Sequence, residues 1–258
     1  NAYAGISDTT TLSFTAADVA APTLASSSPA DDATGIAVNS NIVLTFNETV
    51  QAGTGNITLF KSDNTQVEVF DVTTDVTVSG TTVTLDPASD LDSLQGYYVQ
   101  VASTAVEDTS NNAYAGIGDT TTLSFTAADI AAPTLASSSP ADDATGVAVN
   151  SNIVLTFNET VQAGTGNITL FKSDNTSVEV FDVTTDVTVS GTTVTLDPAS
   201  DLDSLQGYYV QVASTAVEDT SNNSYAGIGD TTTLSFTAAS DSVAPTLVSS
   251  SPADGATG

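Results

Sequence analysis

VTVSGTTVTL, residues 76–85, decides the fold. Valine alternates with threonine and serine before Gly80, and threonine alternates with valine and leucine after it. Alternation at period two marks a strand with one face buried. A Ser-Gly step between two such runs marks a tight hairpin. The same pattern spreads outward. Asn41–Phe46 sets Ile42, Leu44 and Phe46 against Val43 and Thr45, Tyr97–Val101 puts Tyr97, Val99 and Val101 on one face, and Thr121–Phe125 turns Leu123 and Phe125 inward. Thr23–Ser27, Asn56–Lys61 and Val67–Val72 read as further strands. No stretch carries a helical period, and Asp90–Leu94 has room for one short turn. The expected class is all-β, an antiparallel sandwich of about seven to nine short strands.

The hairpin recurs 111 residues later, and so does everything around it. Residues 22–128 match 133–239 except at Ile36/Val147, Gln66/Ser177 and Ala113/Ser224. Asn1–Ala17 follows Asn112–Ala128 with Ser7 in place of Gly118, and Pro245 opens a further copy that runs to Gly258. A unit copied in series points to length, reach or multivalency rather than one active site. The small-residue stretch AADIAAP at 127–133 reads as a connector. It places repeats at 22–132 and 133–243, the last strand of a preceding repeat at 1–21, and the first strand of a following one at 244–258. The second connector is one residue longer and is altered at Ser240–Ala244.

Composition excludes several functions. There are 31 acidic residues against two lysines, Lys61 and Lys172, with no arginine or histidine, for a net charge of −29. Nucleic acid and anionic membrane surfaces need cations that this chain lacks. No apolar run is long enough to span a bilayer. Without cysteine there are no disulfides or thiolate sites, and without histidine or cysteine the usual nucleophilic triads and dyads are unavailable. Paired carboxylates suffice for glycoside hydrolysis, but acids are so common here that a pair carries no signal. The expectation is a non-enzymatic chain. Its apolar residues are 40% of the total and lie in patterned runs, so the chain is acidic yet folded.

Four strings, in order and at fixed spacing, carry a resemblance: APTLASSSPADDATGIAVNSNIVLTFNETV from residue 21, GNITLF from 55, LQGYYVQV from 94 and VEDTSNNAYAGI from 106. Each repeat resembles the bacterial Ig-like domains of S-layer proteins and giant adhesins. The resemblance implies tandem Ig-like sandwiches set end to end in a secreted, cell-surface protein. Tyr97 resembles the corner tyrosine by which many sandwich domains tie a loop to the backbone.

Ig-like topology sorts the acids to two poles. Asn47 and Glu48 lie between two strands, and Glu107, Asp108, Asn111 and Asn112, with Asp119 farther on, lie between two others. Both loops are expected at the pole that receives the incoming connector with its Asp18. Asp31, Asp32, Asp86, Asp90 and Asp92 are expected at the opposite pole, near the outgoing Asp129. The expected metal ligands are therefore Asp18, Glu48, Glu107, Asp108 and Asn111, with Asp129, Glu159, Glu218, Asp219 and Asn222 at the junction of the repeats. Asp31, Asp32 or Asp92 are expected nearby. Such a cluster repels itself unless a cation intervenes. Ca²⁺ fits it, as a hard ion that takes six to eight oxygen ligands. The alternative is a solvated, solubilising surface.

Three functions follow as expectations. The first is an extender of an extracellular adhesin, adding on the order of 40 Å per repeat and stiffened by Ca²⁺, with neighbouring repeats as partners. The second is an assembly protein that joins chains into a filament, sheath or S-layer. The third is a glycan-binding module that uses Tyr98, expected outward opposite Tyr97. Lys61 and Lys172 are expected to be exposed at strand ends rather than in an isopeptide bond.

Overall fold

The computed structural model describes residues 13–240 together with Gly5, Val248, Ser249 and Ser251. The strand expected over 1–21 falls partly outside these residues, and 13–21 carry no strand. The strand expected over 244–258 falls mostly outside them, with none at Val248, Ser249 or Ser251, and most of the altered connector lies outside as well. The chain divides between Ile130 and Ala131, two residues before the division placed from the connector.

Among its described residues the first unit holds eleven strands: β1 (Leu24–Ser28), β2 (Ala33–Ile36), β3 (Ile42–Phe46), β4 (Val50–Ala52), β5 (Asn56–Lys61), β6 (Gln66–Asp71), β7 (Val76–Ser79), β8 (Thr82–Leu85), β9 (Gly96–Val101), β10 (Val106–Asp108) and β11 (Ser124–Ala127). One sheet runs β1-β3-β8-β7 and the other β2-β11-β9-β5-β6, with β4 and β10 forming a short ribbon. The second unit repeats this order from β12 (Leu135–Ser139) to β22 (Ser235–Ala238).

The opening hairpin forms as its sequence dictates. β7 and β8 pair from Val76↔Leu85 to Ser79↔Thr82, and Gly80 takes the turn at φ +58°, a conformation that costs glycine no steric strain. The inward residues of both sheets meet in one core. Ile42, Leu44, Ile57, Leu59, Val83, Leu85 and Val99 are fully buried, the packing of two sheet faces on one another. Tyr97 stacks on Phe125 at 5.7 Å, and its hydroxyl accepts the Asp92 backbone N–H at 2.7 Å. That is the tie between loop and backbone that its position in LQGYYVQV implies.

Three short strands were not legible in sequence, namely β2, β4 and β10, and the last strand is displaced. It spans Ser124–Ala127 rather than 121–125. Asp119 Oδ1 accepts the backbone N–H groups of Thr121 at 2.8 Å and Thr122 at 2.7 Å. Those two threonines are therefore drawn into a turn. One pairing departs from the antiparallel rule: β2 runs parallel to β11, through Phe125↔Ala33 and Ala127↔Ile36.

Candidate metal centre

Asp108 is the residue around which the pole is built. It ends β10, whose residues Val106, Glu107 and Asp108 are buried, half-buried and buried in turn. Successive strand residues face opposite ways, so Asp108 points inward with Val106 while Glu107 points out. The chain then turns back sharply. Asn111 adopts φ +65°, and Asp108 N–H donates to the Asn112 carbonyl at 3.0 Å. This brings three donors onto one carboxylate. Oδ1 accepts from Ser110 N–H and Asn112 N–H, both at 2.8 Å, and Oδ2 accepts from Asn112 Nδ2 at 2.7 Å. Burial pushes the Asp108 carboxyl up, but the side chain and backbone of Asn112 and the backbone of Ser110 outweigh it. They hold it below the usual carboxylate range. The group is an anion 1% exposed, and three donors leave part of its acceptor capacity open.

Two further acids converge on it. Glu48 sits in the turn between β3 and β4. That turn is anchored at Asn47, whose Oδ1 accepts Thr23 N–H at 2.6 Å and whose N–H donates to the Thr23 carbonyl at 3.0 Å. Asp18 arrives on the incoming segment. Its own Oδ1 caps Ala20 N–H at 3.0 Å, and its carbonyl accepts Asn112 Nδ2 at 3.2 Å. Carboxylate oxygens of Asp18, Glu48 and Asp108 all lie within 4.8 Å of one another. No protein cation answers them. The two lysines of the chain are bound elsewhere, Lys61 to Asp92 at 2.5 Å and Lys172 to Asp203 at 2.6 Å. Three carboxylates are an all-oxygen donor set, the kind that Ca²⁺ takes.

The family model for the bacterial Ig-like domain matches residues 18–127 and, again, 129–238. The chain belongs to that family. Each match begins at the connector acid, Asp18 in the first and Asp129 in the second. No curated protein matches the chain in sequence. Among solved structures it is similar to an I-band fragment of titin, at 10% identity and a TM-score of 0.42, covering 86% of this chain and 66% of that one. It is similar to the N-terminal part of the bacterial S-layer protein SbsC, at 15% identity and a TM-score of 0.29, covering 80% and 43%. It is also similar to the BSP domain of a biofilm associated protein, at 10% and 0.23, covering 82% and 29%. The chain therefore spans no more than 66% of any of the three.

The second bacterial Ig-like unit repeats the pole. Asp219 is 1% exposed and accepts Ser221 N–H, Asn223 N–H and Asn223 Nδ2 at 2.8 Å each. Carboxylate oxygens of Glu159 and Asp219 lie within 4.8 Å. Asp129 follows Asp18 by one period in the sequence and belongs to the first unit. Within the first unit its Oδ1 accepts Ser93 Oγ at 3.0 Å.

Other expected ligands are not gathered. Glu107 pairs across the ribbon with Gln51, and Gln51 Nε2 donates to Glu107 at 3.0 Å and to Asn111 Oδ1 at 3.2 Å. Glu218 and Asn222 are held by Gln162 in the same way. The strand alternation that buries Asp108 and Asp219 turns their neighbours away. Three of the acids expected at the opposite pole are engaged inside their repeat. Asp31 and Asp32 bond Ser124, and Asp92 bonds Lys61. Asn112 and Asn223, which orient the buried aspartates, are the residues that the ligand set omitted. Tyr98 points away from the core cluster that holds Tyr97, but it is covered. It is 5% exposed, stacked on Phe60 at 5.0 Å, with its hydroxyl donating to Asn64 at 3.0 Å. It offers no open ring face to a glycan.

One acid sets a pH dependence of its own. Backbone donation from Thr121, then the hydroxyl and N–H of Thr122, pull Asp119 from 3.8 to about 2. Asp230 is pulled to about 2 by Thr233 and Thr232. A carboxyl that titrates lower when folded adds stability above its unfolded pKa and loses it as pH falls through the folded one. The stability from these turns is therefore complete above about pH 4 and gone below about pH 2. Urea midpoints measured from pH 5 to pH 2 should fall less steeply for Asp119→Asn with Asp230→Asn than for the wild type. Parallel slopes would contradict the assignment.

Proposed function

We propose that the chain is a run of extender repeats of a large extracellular bacterial adhesin, each repeat holding Ca²⁺ at the pole where its connector enters. One observation carries the reading. Asp18, Glu48 and Asp108 bring their carboxylates within 4.8 Å in a chain whose only side-chain cations are bound elsewhere. Family membership supports a structural, non-enzymatic module, and near-identical copying supports a role in length rather than in one reactive site. An ion at this pole fixes the connector to the repeat that it enters, which converts a string of independently folded units into a stiffer rod. In EDTA the like charges oppose that closure.

Small-angle scattering tests the reading. At constant ionic strength the maximum dimension should increase when Ca²⁺ replaces EDTA, and Mg²⁺ should reproduce little of the change, because it dehydrates reluctantly and demands octahedral geometry. Equal curves in Ca²⁺, Mg²⁺ and EDTA would leave only charge screening.

A second reading, lateral assembly into a filament or sheath, has one observation of its own. β6 is an edge strand of its sheet and shows Val67 and Val69 to solvent at 42% and 37%. Such edges are templates for strand pairing, while Glu68, Asp71 and the net charge of the array oppose it.

A further inference from the structure

The single parallel pairing in each repeat lies where a pull on the chain arrives. β2 is the second strand from the entering end of the repeat and β11 is the last. Tension draws β2 backward by its N-terminal end and β11 forward by its C-terminal end. Because the two run in the same direction, that tension slides one along the other and loads every bond between them together. A hairpin pulled at its two adjacent ends would open one bond at a time. β1 precedes β2 and is held along β3 from Leu24↔Phe46 to Ser28↔Val43, so it meets the pull along its axis first.

The parallel ladder itself is short, and polar contacts lengthen it at both ends. At its start, Asp32 N–H donates to the Ser124 carbonyl at 2.8 Å, and Ser124 N–H donates to Asp31 Oδ1 at 2.9 Å. The Ser124 hydroxyl reaches Asp31 Oδ1 at 3.2 Å and Asp32 Oδ1 at 3.0 Å. At its end, Ala128 N–H donates to the Ile36 carbonyl at 2.7 Å. The second unit repeats the brace. Asp142 Oδ1 accepts Ser235 N–H at 2.9 Å, Asp143 N–H donates to the Ser235 carbonyl at 2.7 Å, and Ala239 N–H donates to the Val147 carbonyl at 2.7 Å. Bonds to a carboxylate are the stronger kind, and they stand where the sliding motion must break them.

The geometry points to a latch against tension: Asp31, Asp32 and Ser124, with Asp142, Asp143 and Ser235, lock the first and last parts of each repeat together. The inference rests on the extender reading for its purpose, but not on Ca²⁺, since no latch residue belongs to the metal centre.

Single-molecule force spectroscopy on the full chain in EDTA tests it, and a failure of the Ca²⁺ reading leaves this result untouched. At constant load, Asp31→Ala with Asp142→Ala should unfold about tenfold faster or more, the scale of losing a hydrogen bond to a charged group. Asp31→Asn with Asp142→Asn keeps an acceptor oxygen and should recover most of the difference. Val78→Ala with Val189→Ala trims half-buried residues of the edge strands β7 and β18 (Val187–Ser190), away from the latch. It should lower the melting temperature yet leave the rate under load within about twofold, as expected for a site whose contacts persist when the latch yields. The proposal is overturned if the Asp31 variant also stays within twofold. It is equally overturned if the Val78 variant unfolds as much faster under load as its thermal loss alone predicts.

Discussion

Replacing Glu48 and Glu159 by glutamine should raise the melting temperature in EDTA and lower it in Ca²⁺. The inversion follows from the pole. Without metal, Glu48 adds a third negative charge within 4.8 Å of two others, and like charges that close disfavour the folded state. Glutamine keeps the size and removes the charge. With metal, the same charge becomes a ligand. Ca²⁺ at about 100 times its dissociation constant stabilises a folded site by about 2.7 kcal/mol, and for a repeat of this size that corresponds to roughly 10 °C. The double variant should lose most of that shift. Asp108→Ala separates structure from ligation. It strands Ser110 N–H and Asn112 N–H and takes one of two acceptors from Asn112 Nδ2, so it should melt lower in EDTA as well. Differential scanning calorimetry in both buffers reads all of these. A Glu48→Gln, Glu159→Gln variant that moves in the same direction in both would remove Glu48 from the site.

Gly116→Ala should be among the most damaging single substitutions in the first repeat. Gly116 sits at φ +83°, and a Cβ there would lie 2.5 Å from the Val101 carbonyl oxygen and 2.9 Å from Ser103 N. Both are backbone atoms in or beside β9, which has no freedom to retreat. The left-handed conformation and the overpacking together cost about 3–4 kcal/mol, or roughly 12 °C or more for a domain of this length. The position matters to the metal centre because the next residue, Ile117, exchanges hydrogen bonds with Val101 in both directions at 2.9 Å, closing the loop that begins at Asp108. The chain carries its own control, since the second repeat should still melt at its original temperature. Gly118→Ala is another control, because its Cβ meets nothing within 4 Å. A Gly116 variant that melts with the wild type would contradict the close approach.

Much of the fold was legible because the core strands alternate strictly. In IVLTF at 42–46, Ile42, Leu44 and Phe46 all face inward, and no competing helical period exists. β2 was hidden for a physical reason. ATGI offers one large apolar residue, and its partner β11 lies some ninety residues away in parallel register, which no local pattern encodes. The pole was legible as a place but not as a ligand set. Glu107 and Asp108 are equivalent in composition, and only strand phase separates them. That phase was available in principle. Val106 must face the core, so Asp108 must as well, and Glu107 must not. β10 has only three residues, too few for alternation to show a strand there. Asn112 was passed over because its contribution is positional. It spends two donors on Asp108, a role that only the closed loop reveals. Alternation says which way the Tyr98 side chain points, away from the core. It does not say that Phe60 and Asn64 will cover it.

Calorimetric titration of the full chain with Ca²⁺, at fixed ionic strength, tests the central claim most directly. The account predicts saturable binding with a dissociation constant of about 10⁻⁴–10⁻³ M, as in other extracellular calcium modules, and about one ion per repeat. Glu48→Gln with Glu159→Gln should abolish it. Heats that grow without saturation, or that persist unchanged in the double variant, would mean that the acidic poles attract ions only as a diffuse charged surface.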